Sequence, residues 1–280
     1  MSETQVLRDH SFKKGFTILY RDHPVREIGV LLPSPDSGEK PDWRLVQWMC
    51  ESNLAAAVPD YSDGYSLTTD SQTAGVSGDG ALLLELRASR EYSHPRQPGE
   101  AWPHLLIEQQ IPPERCPPLG GLRELRLRME ARIPYWEEHE ENPDPSLHTG
   151  QTNLYFTVGK TDGSGDYYWF GVPIFDARFL HQEGYSAEDG GKEDATHKLI
   201  YTTPQKEFTA ETFHDSGWIR YDRDILPLLA DGLREAVEKG FLSDPSLDDY
   251  RLTSTNLGWE MPGSYDAALE VRELSLTAIG

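Results

Sequence analysis

Residues 104–111 (HLLIEQQI) and 124–133 (ELRLRMEARI) each separate apolar from polar side chains with a period of two, the repeat of a β-strand with one buried face. In the second run Leu125, Leu127, Met129, Ala131 and Ile133 point one way, while Arg126, Arg128, Glu130 and Arg132 point the other. A strand divided in this way is half of a β-sandwich, because its apolar side needs a second layer to cover it. In the first run His104, Glu108 and Gln110 share a face. Polar groups repeated across neighbouring strands make either a solvated wall or a polar ligand groove.

The chain has 280 residues, 37% of them apolar and 10% aromatic, enough for a sizeable core within one domain spanning 1–280. Its 26 Lys and Arg stand against 47 Asp and Glu, a formal net charge of −21. Such a field repels a phosphate backbone, so nucleic acid and anionic membrane are excluded as partners, and the acidity otherwise serves solubility. The N-terminal residues MSETQVLRDHSFKKGF lack the apolar core of a secretory signal, and no run of about 18 apolar residues occurs. A cytoplasmic location is expected. Cys50 and Cys116 lie in different segments with no partner motif and are read as reduced structural thiols, and there is no Asn-x-Ser/Thr sequon.

Along the chain, apolar runs at 15–20 and 28–32, separated by RDHPVRE and closed by PSPDSGEKP, predict two early strands. Residues 43–53, with Trp43, Val46, Trp48 and Met49, fit neither period cleanly and are assigned a strand. The turn-rich stretch 60–70 (DYSDGYSLTTD) carries Tyr61 and Tyr65, which suit either a ligand-binding rim or a plain surface loop. Strands follow at 81–89, 153–160 and 166–176, the last two joined by TDGSG as a hairpin. The charge run 136–145 around His139 reads as a solvated loop. The polar loop 180–196 is long for a connection, which points to a lid or to a loose segment.

Strands are expected again at 197–203 and 218–225, and then the period changes. Leu226, Leu229, Leu233, Val237 and Phe241 recur at helical spacing, with Asp224 as a cap, Pro227 in the first turn and Gly240 at the end. One amphipathic helix therefore lies against the sandwich, before final strands at 253–261 and 267–279. About ten strands with mostly long Gly/Pro-rich connections predict an all-β fold, a jelly-roll or Greek-key sandwich. A parallel α/β fold lacks its crossover helices.

No reaction-specific motif is present. Gly159-Lys160-Thr161 is not a phosphate loop, since Leu154 stands where the first glycine is required and the context is a hairpin. Gly-x-Ser-x-Gly, His-Glu-x-x-His, EF-hand and dinucleotide fingerprints are all missing, and the nine histidines are scattered singly, so neither a metal site nor a cofactor is expected.

What the strand faces do offer is a constellation. If the polar faces of the central strands form one surface, it gathers Glu85, Arg87, His104, Glu108, Gln110, Arg126, Arg128, Glu130, Arg132, Asn153, Tyr155 and Thr157. Trp169, Tyr167 and Tyr168 adjoin it, with Trp218 and Trp259 in reach. Carboxylates, amides and guanidinium groups offer sugar hydroxyls fixed partners, and aromatic rings stack on sugar C–H faces. The bland alternative is an exposed face laced with Arg–Glu cross-strand pairs. Glu108 and Glu130, if their strands pair, would stand near the spacing of a glycosidase acid/base pair. A lyase would instead use His104 or a tyrosine as base, with Arg128 or Gln110 neutralising a uronate.

The strand pattern, the WIRYDRDI run followed by a helix, and the terminal GWEMPGSYDAALEVRELSL resemble bacterial jelly-roll proteins, concanavalin-like or galactose-binding-like, that bind or cleave carbohydrates. The resemblance covers roughly residues 80–280 and is one of patterning. It implies a concave sheet as the ligand face and sometimes a structural calcium. The expected function is binding of an oligosaccharide or other polar small molecule by Glu108, Gln110, Arg128, Glu130 and Tyr155, with His104 beside them and Trp169 as stacking platform. A glycoside hydrolase or polysaccharide lyase, or a non-catalytic interaction protein, are the alternatives.

Overall fold

The computed structural model describes residues 2–20, 24–190, 195–215 and 217–280. Parts of the RDHPVRE connection (21–23) and of the polar loop (191–194) lie outside the described residues. Sixteen strands and one α-helix are described. β1 (Glu3–Gln5), β2 (Phe16–Leu19), β3 (Glu27–Leu31) and β4 (Trp43–Val46) come first. β5 (Tyr65–Thr68), β6 (Gln72–Val76) and β7 (Leu82–Arg87) form an antiparallel meander. β8 (His104–Gln110) and β9 (Glu124–Glu138) are the two alternating runs. β10 (Gln151–Lys160) and β11 (Tyr167–Asp176) are the expected hairpin, followed by β12 (Tyr185–Glu188), β13 (Leu199–Thr202) and β14 (Ile219–Asp224). After the helix α1 (Leu226–Glu238), β15 (Tyr250–Glu260) and β16 (Tyr265–Ile279) close the chain.

The strands form a jelly-roll sandwich of two sheets. One runs β14-β9-β16-β7-β6-β5, with β1 added to β16, and the other runs β12-β13-β11-β10-β15-β8-β4-β2-β3. Most pairs are antiparallel, with β2–β4 and β11–β13 parallel. The core lies between the sheets. Leu125, Leu127, Met129, Ala131 and Ile133 of β9 are at most 1% exposed there, as are Leu105 and Ile107 of β8 and Leu154, Phe156 and Val158 of β10. Burying each aliphatic side chain of this kind contributes about 1.5–3 kcal/mol.

Two buried hydrogen bonds tie the layers. Trp259 Nε1 of β15 donates to the Leu84 carbonyl of β7 at 2.9 Å, and the Tyr221 hydroxyl of β14 donates to the Pro173 carbonyl of β11 at 2.7 Å.

The helix begins where Asp224 Oδ1 accepts from the Leu226 amide at 3.1 Å, with Pro227 in its first turn. It buries Leu228, Leu229, Gly232, Leu233 and Ala236. The Tyr168 hydroxyl donates to the Leu229 carbonyl at 2.6 Å, and Gly232 leaves the space that the Tyr168 and Tyr201 rings occupy.

Several stretches differ from expectation: β12 lies inside the 180–196 loop, the 136–145 charge run begins within β9, and β1, β5 and β6 stand where no strand is expected. Of residues 43–53 only Trp43–Val46 is strand. Beyond it the buried Gln47 side chain donates to the Leu19 carbonyl at 3.0 Å and accepts from the Leu54 amide at 2.9 Å, which folds the chain into a turn with Met49 at φ 57°. In 60–70, Tyr65 opens β5 with its ring in the core and its hydroxyl on the Phe12 carbonyl. That tyrosine is structural and belongs to no rim.

Candidate functional site

The expected single polar surface is in fact two surfaces on opposite sides of the sandwich. β7 and β9 belong to one sheet and β8, β10, β11 and β15 to the other, so the polar faces of the two alternating runs point away from each other. Glu130 and Glu108 are therefore not a pair. β8 and β9 do not share an edge, and the whole core separates their outward side chains.

On the seven-stranded sheet the outer face is an ion-pair lattice. Glu130 accepts from Arg272 Nε at 2.7 Å, Arg132 donates to Glu270 at 2.6 Å, and Arg126 and Arg128 both meet Asp222. Arg132 and Arg272 also lie over the Trp218 ring, 4.7 and 4.1 Å from its centroid. Arg128, Glu130 and Trp218 are thus satisfied by neighbours on their own sheet, which is what cross-strand pairs on a solvated face do. Trp259 is buried in the core and reaches no surface.

The nine-stranded sheet is different. Register places one row of outward residues across seven of its strands, Arg44–Glu108–Asn256–Tyr155–Gly171–Thr202–Tyr185. A second row runs Val46–Leu106–Gly258–Asn153–Pro173, and a third His104–Glu260–Gln151. A groove of about 450 Å³ lies over these rows. Trp48, Trp102, His104 and Leu106 line one end, and Tyr155, Trp169, Tyr185, Ile200, Glu188 and Asp189 line the other, with Glu108, Asn256, Gln151 and Glu260 also on its surface. From β8 to β12 the groove crosses roughly 24 Å at ordinary strand spacing.

Each wall has a local cause. The Tyr155 hydroxyl and the Tyr185 hydroxyl are 3.0 Å apart, and Trp169 meets the Tyr155 ring edge-on at 6.4 Å between centroids. Gly171 permits this: a Cβ there would stand 2.7 Å from Tyr155 Cε1 and 2.5 Å from Thr202 Oγ1. At the other end Trp102 stacks on His104 at 5.8 Å, and Trp48 packs on the small apolar patch of Leu19, Val46 and Leu106.

The charged groups are held unequally. Arg44 Nη2 meets Glu108 Oε1 at 2.5 Å, yet burial pushes the Glu108 carboxyl above its usual range and the guanidinium offsets this only in part. Among the described residues Glu260 has only long contacts, with Gln151 Nε2 at 3.5 Å and His104 Nε2 at 3.7 Å. Burial holds the Tyr155 hydroxyl firmly protonated, so it serves as a hydrogen-bond group and not as a base.

Of the residues singled out from sequence, His104, Glu108, Tyr155 and Trp169 line the groove together. Gln110 sits on the same face of β8, exposed and outside the groove lining, while Arg128 and Glu130 lie on the far side of the molecule. Trp48, Trp102, Gln151, Tyr185, Glu188, Asp189, Asn256 and Glu260 were not among those singled out. For Asn256 and Glu260 the signal was present, since Leu257 and Trp259 alternate with them as the buried face of β15. Among the described residues no three His, Cys, Asp or Glu stand together as metal ligands. No helix among them is long and apolar enough to cross a membrane.

No protein-family model matches the chain, and no curated protein is similar to it in sequence. Solved structures with a similar strand arrangement include a thermostable cellulase derived from Cel12A of Rhodothermus marinus, 13% identical over 76% of this chain and 91% of that one, TM-score 0.41. A loop-swap mutant of the Xyn11A protein of Necallimastix patriciarum is 10% identical over 81% of this chain and 97% of that one, TM-score 0.42. A family 12 xyloglucanase from Bacillus licheniformis is 11% identical over 76% and 92%, TM-score 0.41.

Proposed function

We propose that this chain binds an oligosaccharide along the groove on the outer face of its nine-stranded sheet. The observation that carries the reading is the pairing of aromatic walls at both ends, Trp48 and Trp102 at one and Tyr155, Trp169 and Tyr185 at the other, with carboxylates and amides between them. Sugars need both: rings against which C–H faces stack, and fixed acceptors and donors for hydroxyls. An open groove crossing several strands suits a chain of sugars better than a single compact ligand.

A glycan array with the intact protein, followed by titration calorimetry of the best binder, tests this. Saturable binding of one glycan class, lost or weakened at least tenfold by Trp169→Ala or Trp102→Ala with the fold intact by circular dichroism, is expected. Absence of binding to every glycan ends the proposal.

One observation favours hydrolysis as a second reading. Glu108 lies in the groove with its carboxyl raised by burial, the condition under which a carboxylic acid can donate a proton to a leaving group. Its groove companion Glu260 sits one strand over and four residues along, about 14 Å away in backbone terms, wider than a retaining pair requires. Reducing-end release from a bound glycan, abolished in Glu108→Gln while binding persists, would distinguish an enzyme from a binding protein.

A further inference from the structure

The groove has an electrostatic bias that its aromatic walls do not require. Glu108, Glu188, Asp189 and Glu260 line it, and among the described residues no Lys or Arg stands in its lining. Three of these carboxylates have close partners: Glu108 has Arg44, Glu188 accepts from or pairs with His197 Nδ1 at 2.7 Å, and Asp189 accepts from the Thr196 amide and hydroxyl. Among the described residues Glu260 has only the long contacts to Gln151 and His104, and its side chain remains 25% exposed.

A second feature lies on the same strand face. Asn153 shares the outward face of β10 with Tyr155 and stands opposite Gly258, in line with the groove residue Leu106. It is 4% exposed, and its Oδ1 has no hydrogen-bond partner among the described residues. The Glu260 end thus offers a carboxylate beside an aromatic wall of Trp48, Trp102 and the His104 ring, with the buried Asn153 amide outside the groove lining.

A carboxylate with aromatic rings beside it complements a sugar that carries an ammonium group. The carboxylate takes the charged N–H in a charge-assisted hydrogen bond, and the aromatic wall packs against the C–H edges of the ring. We propose that the Glu260 end of the groove is a subsite for an amine-bearing sugar residue, a protonated hexosamine within an oligosaccharide, with Glu260 as its charged partner. This rests on the carbohydrate reading and narrows its ligand class. A single ion pair at contact distance in water-like surroundings is worth about fivefold in affinity, screened by salt.

The test is titration calorimetry of the whole protein with a glucosamine tetramer, its fully N-acetylated form and a glucose tetramer, at low and high salt. The glucosamine tetramer is expected to bind about fivefold tighter than the acetylated one, with the preference shrinking at high salt. Glu260→Gln should erase the preference, whereas Glu114→Gln, the same charge change on an exposed loop, should keep it. Equal binding of the three oligomers, or a preference that survives Glu260→Gln, overturns the subsite and leaves the carbohydrate reading standing. So does binding of none of them when another glycan binds in the array. Silence of the array and the tetramers alike brings down both.

Discussion

The Arg96 guanidinium lies over the Trp102 indole, 5.1 Å from its ring centroid, and Arg96 is only 6% exposed. Its Nε donates to the Pro262 carbonyl at 2.8 Å, Nη1 to that of Glu100 at 2.9 Å and Nη2 to that of Leu147 at 2.8 Å. Its own carbonyl meets His148 Nε2 at 2.8 Å. One side chain thereby fastens three loops together and holds the indole that forms one wall of the groove. Arg96→Met should leave three carbonyls without their donor and cost about 3 kcal/mol or more, read by urea unfolding. Arg96→Lys should recover only part of this, because an ammonium cannot reproduce the planar fork. Stability equal to wild type in Arg96→Met would contradict this role.

Glu108 should titrate above its ordinary value of 4.5, because burial disfavours its charge more than Arg44 favours it. The folded state then holds this proton more tightly than the unfolded chain. The Glu108 contribution to stability is therefore most favourable at low pH and declines as pH rises from the ordinary value to the folded midpoint. Carboxyl carbon shifts in a pH titration check the midpoint. Arg44→Met should move it further up, and a midpoint below the ordinary value would refute the assignment.

Gly171→Ala should damage the groove more than the fold. The new methyl would stand 2.7 Å from the edge of the Tyr155 ring and must displace it, breaking the contact with Tyr185. The expected cost in stability is about 1–2 kcal/mol, with glycan affinity reduced at least tenfold. Retained affinity would mean that the Tyr155 position is immaterial to binding.

At Gly232 the usual rule should invert. Alanine in a helix interior normally gains about 1 kcal/mol over glycine. Here its Cβ would stand 2.8 Å from Tyr201 Cδ1 and 2.9 Å from Tyr168 Cε2. Gly232→Ala is expected to lower stability by about 1–3 kcal/mol in thermal or urea unfolding. A gain would show that the helix can move away from the two rings.

The sandwich was legible because alternation is a local property: Leu125 to Ile133 carry it unaided, as TDGSG carries its hairpin. The helix was legible for the same reason, with Pro227 in its first turn, although Ile225 and not Asp224 is the residue at its N-cap, Asp224 accepting from the Leu226 amide one position earlier. Which sheet each strand joins is not local. The outward faces of β8 and β9 read alike, yet one opens on a groove and the other on paired ions, and only the strand order distinguishes Glu108 from Glu130. The groove walls also come from positions that no period marks. Trp102 precedes its strand, and Trp48 lies in the turn that the Gln47 amide builds.

The row from Arg44 to Tyr185 draws on seven strands that are scattered from near the start of the chain to near its end. β8, second in the row, is flanked by β4 from the first fifth of the sequence and by β15 from the last. A slip of one residue in any member turns that strand's contribution inward, so recognition is lost in whole steps and not by degrees. Pairings this remote also form late and slowly in a folding chain. A nascent polypeptide has no groove until β15 has emerged and docked, and the first appearance of ligand binding during refolding is a clock for the arrival of that strand.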